Sequence, residues 1–312
     1  MSSLQSPSAP GEPSPMQADS FGQALAAERQ AREQRTPDWP PWMAPAALVG
    51  GVVLSMVGVL IVELPAAAFG VDITASHMPA GLTIADTVVQ DIGFILVAVL
   101  CARMGGRTVR SWQFGLRRPR VGWWRASGLI FLLLLAFVVV SAIWSALVNP
   151  EKEKVLETLG SNAGTTLLLL SAALTCIVAP ICEEFLFRGF IFTALRNWKG
   201  TWPAAIITGL LFGGVHFGSA PALDLVPLAG LGFGLCLLYR VTGSLYPCIA
   251  AHSLNNSIAY GSLESWAFWQ VLVLMAGSLV VIWAMVLAAK RFGLISAEPL
   301  SLPQSPAVFA ST

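Results

Sequence analysis

Two adjacent carboxylates, two histidines and an asparagine in the second half of the chain are the side chains most able to do chemistry: Glu183 and Glu184, His216, His252 and Asn256. Glu184 is followed four residues later by Arg188, and residues four apart lie on one helical face, so the two should form an ion pair. Glu183 is rotated from Glu184 by about 100° and has no basic residue three or four positions on. One carboxylate is therefore neutralised locally, and the other stays available to take a proton from water, the task of a general base. The same residues also fit a charge knot that only clamps one helix to a neighbour.

The remaining groups carry similar alternatives. His216 closes the stretch Phe212-Gly213-Gly214-Val215-His216, in which Phe212 and His216 share a face and the glycines let a second helix approach. His252 and Asn256 share a face of the next polar stretch, and Asn255 leaves open which amide does the hydrogen bonding. Either histidine could be no more than a packing residue or an interhelical clasp. Glu183, His216 and His252 could also form a three-ligand zinc site with water in the fourth position. The chain has no HExxH, so this would not be the usual zincin arrangement.

The elements that must position these groups are helices in lipid. Of 312 residues, 55% are hydrophobic and 11% charged, and the mean hydropathy is +0.71. A soluble domain carries roughly 25% charged residues. Eight apolar segments follow one another, at about 43–62, 85–102, 122–147, 164–195, 203–216, 223–241, 245–259 and 267–289. Most suit a hydrocarbon core that takes about 20 helical residues to cross; the fifth and seventh are short, and the fourth is long enough to tilt or bend. The fold class expected is all-α, a polytopic transmembrane bundle of about eight spans. Residues 1–40 are expected to be a disordered cytoplasmic segment, 41–292 the membrane domain with a motif-bearing core at 164–259, and 293–312 a flexible tail. No apolar stretch begins before Trp39, so no signal peptide is expected.

Basic residues orient the bundle. With both termini cytoplasmic, fifteen of the 18 Lys and Arg residues fall inside, Lys152 and Lys154 fall outside, and Arg188 sits within a span. They lie in short loops rather than on one stripe, which argues against nucleic acid as a partner. All five cysteines lie in apolar runs without CxxC spacing, as small buried hydrophobes do.

Charge at membrane depth is costly, so each ionisable group within a span is a candidate for function. Asp91 and Asp224 join the residues above on this ground. Counting residues from the span ends places Glu183 and His216 each about 20 Å from the cytoplasmic side, and His252 and Asn256 roughly 10–17 Å from it. Three helices thus offer Glu, His, His and Asn at comparable depth.

Taken in order, Glu183-Glu184-x-x-x-Arg188, Phe212-x-x-x-His216 and His252-x-x-x-Asn256 resemble the motifs of the CAAX-protease and bacteriocin-processing (abortive-infection) family of intramembrane proteases. The resemblance covers roughly residues 85–291, and Phe114-Gly115-Leu116-Arg117-Arg118-Pro119 resembles a turn of the same family. It implies an endopeptidase, of glutamic or metallo type, that hydrolyses peptide bonds of membrane-associated or lipidated substrates in the bilayer. Glu183 would activate water with His216 holding it, His252 and Asn256 would donate to the oxyanion, and Glu184 with Arg188 would brace the base. The competing readings are a non-catalytic membrane scaffold or immunity protein, and a transporter using the same charges. The chain shows no internal repeat of the kind many transporters carry.

Overall fold

A computed structural model describes residues 37–74, 78–148 and 164–296. Residues 1–36 of the N-terminal segment, Lys152, Lys154 and the tail from residue 297 lie outside the described residues. The eight apolar segments are all helical. They form α1 (Met43–Ala68), α2 (Ala80–Arg103), α3 (Trp123–Val148), α4 (Thr165–Lys199), α5 (Thr201–Val215), α6 (Leu225–Thr242), α7 (Leu245–Leu263) and α8 (Phe268–Arg291). Six of them are long and apolar enough to cross a membrane. The two that fall short do so for different reasons. α5 has 15 residues, about 22 Å of helix. α7 has 19 residues but carries His252, Ser253, Asn255, Asn256 and Ser257, which dilute its apolarity.

Burial shows what surrounds the bundle. Only 6% of the most apolar window of α3, and 11% of that of α8, is buried by protein. Trp124, Phe131, Leu210 and Trp283 project outward, at 89%, 65%, 63% and 64% exposure. Helices apolar on all sides and left uncovered to this degree belong in lipid. The protein is an integral, multi-pass membrane protein. Within it α1 packs on α2, α5 on α6, and α7 on α8, while α3 lies against α6 and α7. α4 runs through the middle, touching α2, α5 and α7.

α4 is not a uniform α-helix. It widens to π-helix over Leu174–Val178 and again over Phe185–Phe192. The first widening precedes Pro180, which has no N–H to donate and whose ring crowds the carbonyl four residues before it. Ala179 reaches back five residues to the Leu174 carbonyl, so the Thr175 and Cys176 carbonyls are available to another helix. α7 takes both. Ser253 Oγ donates to the Cys176 carbonyl at 2.6 Å, and Asn256 Nδ2 donates to that of Thr175 at 2.9 Å. Further along the same face Tyr260 donates to the Leu168 carbonyl at 3.0 Å. Of the polar residues that make α7 a poor span on hydropathy, Ser253 and Asn256 are thus satisfied by α4, while Asn255 and Ser257 bond within α7.

α5 and α6 cross closely because Gly209 and Gly213, four apart, turn toward α6. A Cβ at Gly209 would lie 2.7 Å from the Ala229 carbonyl oxygen, and one at Gly213 would lie 2.5 Å from that of Leu225. Gly214, expected to share this role, has no such neighbour within 4 Å. Of the adjacent pair, Gly213 thus takes the expected role, and its partner in the seam is Gly209, one turn earlier.

The turn at Gly115 ties the loop after α2 to the α6–α7 junction. Leu245 N donates to the Gly115 carbonyl and Arg120 N to that of Thr242, each at 2.8 Å. Arg117 Nε donates to the Gly243 carbonyl at 2.8 Å. Gly115 has φ +91°, and a Cβ there would lie 2.5 Å from the Tyr239 ring. Gly115→Ala should therefore cost about 1–3 kcal/mol for its backbone alone, read as a lower unfolding midpoint in detergent. An unchanged midpoint would show that this turn does not hold the helices together.

Candidate active site

The site is built on Phe212, a fully buried ring of α5. The Arg188 guanidinium lies 4.5 Å from its centroid, the His216 ring lies tilted at 5.0 Å, and His252 meets it edge-on at 5.5 Å. Phe187 packs against it at 5.2 Å. One aromatic side chain thus fixes an arginine and two imidazoles that come from three helices. That is the physical content of the Phe212-x-x-x-His216 spacing.

Arg188 and Glu184 are completely buried. Arg188 Nη1 donates to Glu184 Oε1 at 2.7 Å, and Nη2 donates to the Gly232 carbonyl at 3.0 Å. The i,i+4 pair read from the sequence is formed. Glu184 has a second partner that no local spacing could reveal: His252 Nδ1 lies 2.8 Å from the same Oε1. A carboxylate oxygen already accepting from arginine is an acceptor here too, so Nδ1 carries the proton and donates. Glu184 therefore orients His252 as well as pairing with Arg188.

This turns the other ring nitrogen of His252 toward Glu183. Nε2 and Glu183 Oε2 are 3.9 Å apart, beyond hydrogen-bond length. Glu183 Oε2 is out of solvent contact and has no hydrogen-bond partner among the described residues. The two adjacent glutamates differ in their engagement: Glu184 Oε1 has two partners while its Oε2 has none among the described residues, and Glu183 Oε2 has an imidazole nitrogen at 3.9 Å but no hydrogen bond. A buried acceptor without a partner is uncommon and tends to mark a working site.

His216 follows the last residue of α5 as its cap. Its Nδ1 lies 2.7 Å from the Phe212 carbonyl oxygen, which can only accept, so Nδ1 is the protonated nitrogen. In the neutral ring the lone pair is then on Nε2. Asn256 is the residue least like its expectation. One amide hydrogen is engaged at the Thr175 carbonyl, and Asn255 Nδ2 donates to its Oδ1 at 3.4 Å. An asparagine amide has two N–H groups, so one remains for another acceptor. Asp224 sits apart from this cluster, at the N-cap of α6.

Among the described residues, no three His, Cys, Asp or Glu side chains are grouped so as to hold a metal ion. The residue that inspection of motifs left out is Asp91 of α2. It is 1% exposed and close enough to Glu183 for their charges to interact. Its signal in the sequence was only that of a lone carboxylate at mid-membrane.

Comparison with known proteins agrees with the motifs. Residues 165–258 match the Rce1-like family, described as type II CAAX prenyl endopeptidase Rce1-like. This stretch contains every residue of the cluster except Asp91, and over it the chain carries the family resemblance that the three motifs carry. The chain is 24% identical over 152 residues to the UPF0177 protein YxdF of Lactococcus lactis, covering 47% of this chain and 83% of that one. It is 34% identical over 88 residues to YdiL, a candidate membrane peptidase of Bacillus subtilis, covering 28% of this chain and 35% of that one. No solved structure matches the chain significantly.

Proposed function

We propose that this chain is an intramembrane endopeptidase in which Glu183 activates the water that attacks a peptide carbonyl. The observation that carries the reading is the buried Glu183 carboxylate, set 3.9 Å from an imidazole that Glu184 holds in place. Buried carboxylates are normally paired, and the cost of leaving one without a hydrogen bond is tolerated where the group must later accept one.

A water bonded to both Glu183 Oε2 and His252 Nε2 would span about 4 Å if its two hydrogen bonds of about 2.8 Å met near a right angle. Since Oε2 is out of solvent contact here, admitting that water needs a small outward shift, which substrate binding would supply. Glu183 takes one proton as the water oxygen bonds to the carbonyl carbon. His216 Nε2 helps hold the same water by accepting its other hydrogen. The oxyanion then receives a hydrogen bond from the free N–H of Asn256, and one from His252 Nε2 when that nitrogen also carries a proton. When the C–N bond breaks, the leaving amine takes back the proton that Glu183 holds. At low dielectric such preorganised donors are worth more than in water.

The substrate class follows from the surroundings and from the matched family: a peptide held at the membrane, with a prenylated CAAX C-terminus as the first candidate. The test uses purified protein in lipid nanodiscs and internally quenched peptides, one farnesylated at a CAAX cysteine and one unmodified but membrane-anchored. Cleavage of either at a defined bond is expected, and a chelator should leave the rate unchanged because the chain's own side chains suffice. Loss of activity on chelation with recovery on adding zinc would instead make Glu183, His216 and His252 metal ligands. Failure to cleave any membrane-held peptide would favour the scaffold reading.

We infer from the positive-inside distribution of the basic residues that both termini are cytoplasmic. Reporter fusions near Arg110, Lys199 and Arg291 should therefore give cytoplasmic signals, and one at Ser219 an external signal. A cytoplasmic signal at Ser219 would invert the depth at which the site lies.

A further inference from the structure

Asp91 lies in the middle of α2, on the side that packs against the Ala179–Glu184 stretch of α4. It is 1% exposed. Neither of its carboxyl oxygens has a hydrogen-bond partner among the described residues. A structural carboxylate is recognised by its partners, as Glu184 is by Arg188 and His252. Asp91 has none, and the charge that acts on it is another carboxylate, Glu183. Cys182, next to Glu183, interacts with both acids.

Two carboxylates whose charges act on each other in a medium that solvates neither are more stable with a proton on one of them. The buried Oε2 of Glu183 lacks a donor, and Asp91 lacks any partner. A single hydrogen on Asp91 satisfies both needs. We propose that Asp91 is a positioning residue of the reaction centre, its protonated carboxyl donating a hydrogen bond through one water to the Glu183 carboxylate. This rests on the hydrolase reading for its function and adds a fourth helix, α2, to the site.

The role is geometric. A hydrogen bond from Asp91 holds the Glu183 carboxylate in one rotamer while leaving its other lone pairs for the attacking water. Because Asp91 contributes no partnered structural contact, replacing it with an apolar residue of similar size removes an unsatisfied group from the interior and should not weaken the fold. A residue whose loss keeps or raises stability while lowering turnover is held for function.

The test combines two readouts on purified protein in detergent. In infrared difference spectra, the wild type should show the carbonyl stretch of a protonated carboxylic acid. That band should be absent from Asp91→Asn and shifted in Glu183→Gln. With the farnesylated quenched peptide as probe, Asp91→Leu should lose about 10²-fold in kcat at unchanged KM, with an unfolding midpoint no lower than wild type. Asp91→Asn, which keeps an N–H donor at the same place, should recover most of that loss. A Leu variant that turns over like wild type, or a carboxylic acid band indifferent to Glu183→Gln, overturns the proposal. If the wild type cleaves no peptide, the hydrolase reading fails separately, and the infrared result alone decides whether Asp91 and Glu183 share a proton.

Discussion

Glu183→Gln should leave a folded, membrane-inserted protein that no longer cleaves peptide. Gln is isosteric with Glu and keeps an oxygen near His252, so packing is preserved, yet an amide cannot take a proton from water at neutral pH. The loss expected for removing a general base is about 10³-fold in kcat, equivalent to about 4 kcal/mol of transition-state stabilisation. KM should change little, because Glu183 acts on water and not on the bound peptide. Glu183 has no hydrogen-bonded partner at Oε2, so the unfolding midpoint should be within a degree or two of wild type or above it. Turnover by this variant at even a tenth of the wild-type rate would leave the carboxylate as part of a charge knot.

Glu184→Gln should behave differently, because its neighbours depend on its charge. Arg188 is fully buried and its Nη1 has Glu184 as partner. Neutralising that partner strands a guanidinium in the interior, and breaking a buried pair costs about 3–5 kcal/mol. The cation–π contact with Phe212, at 4.5 Å, offsets only about 1–2 kcal/mol. The variant should unfold markedly earlier than Glu183→Gln and should also lose activity, since His252 loses the carboxylate that orients its Nδ1. Adding Arg188→Met removes the stranded charge and should restore part of the stability without restoring turnover. Identical unfolding midpoints for the two single glutamate variants would contradict the separate roles given to Glu183 and Glu184.

The features legible in the sequence are those set by one segment at a time. Apolar runs located all eight helices because lipid demands apolarity over a fixed length, and the i,i+4 rule paired Glu184 with Arg188. The order of the motifs pointed to the same three helices that meet around Phe212. What the sequence could not supply is which helix each face meets. His252 was expected to share a cavity with Glu183 as an oxyanion donor, and its direct hydrogen bond is to Glu184. Asp91 looked like one isolated charge, since nothing in α2 itself tells that it packs beside Glu183. The π-helical turns of α4 follow from Pro180 once its carbonyls are seen to find Ser253 and Asn256, but proline alone predicts a kink as readily as a bulge. The seam uses Gly213 of the glycine pair that drew attention and Gly209 one turn earlier in place of Gly214, because adjacency does not place two residues on one face.

The central claim is that the scissile bond is brought to Glu183 and His252, and the structure of the Glu183→Gln variant bound to uncleaved, farnesylated peptide tests it most directly. The scissile carbonyl carbon should lie within about 4 Å of the residue 183 side chain, with the carbonyl oxygen turned toward His252 Nε2 and the free N–H of Asn256, as a near-attack arrangement requires. A bound peptide whose scissile bond lies more than about 10 Å from that side chain, far beyond the reach of a general base acting through one water, would contradict the account.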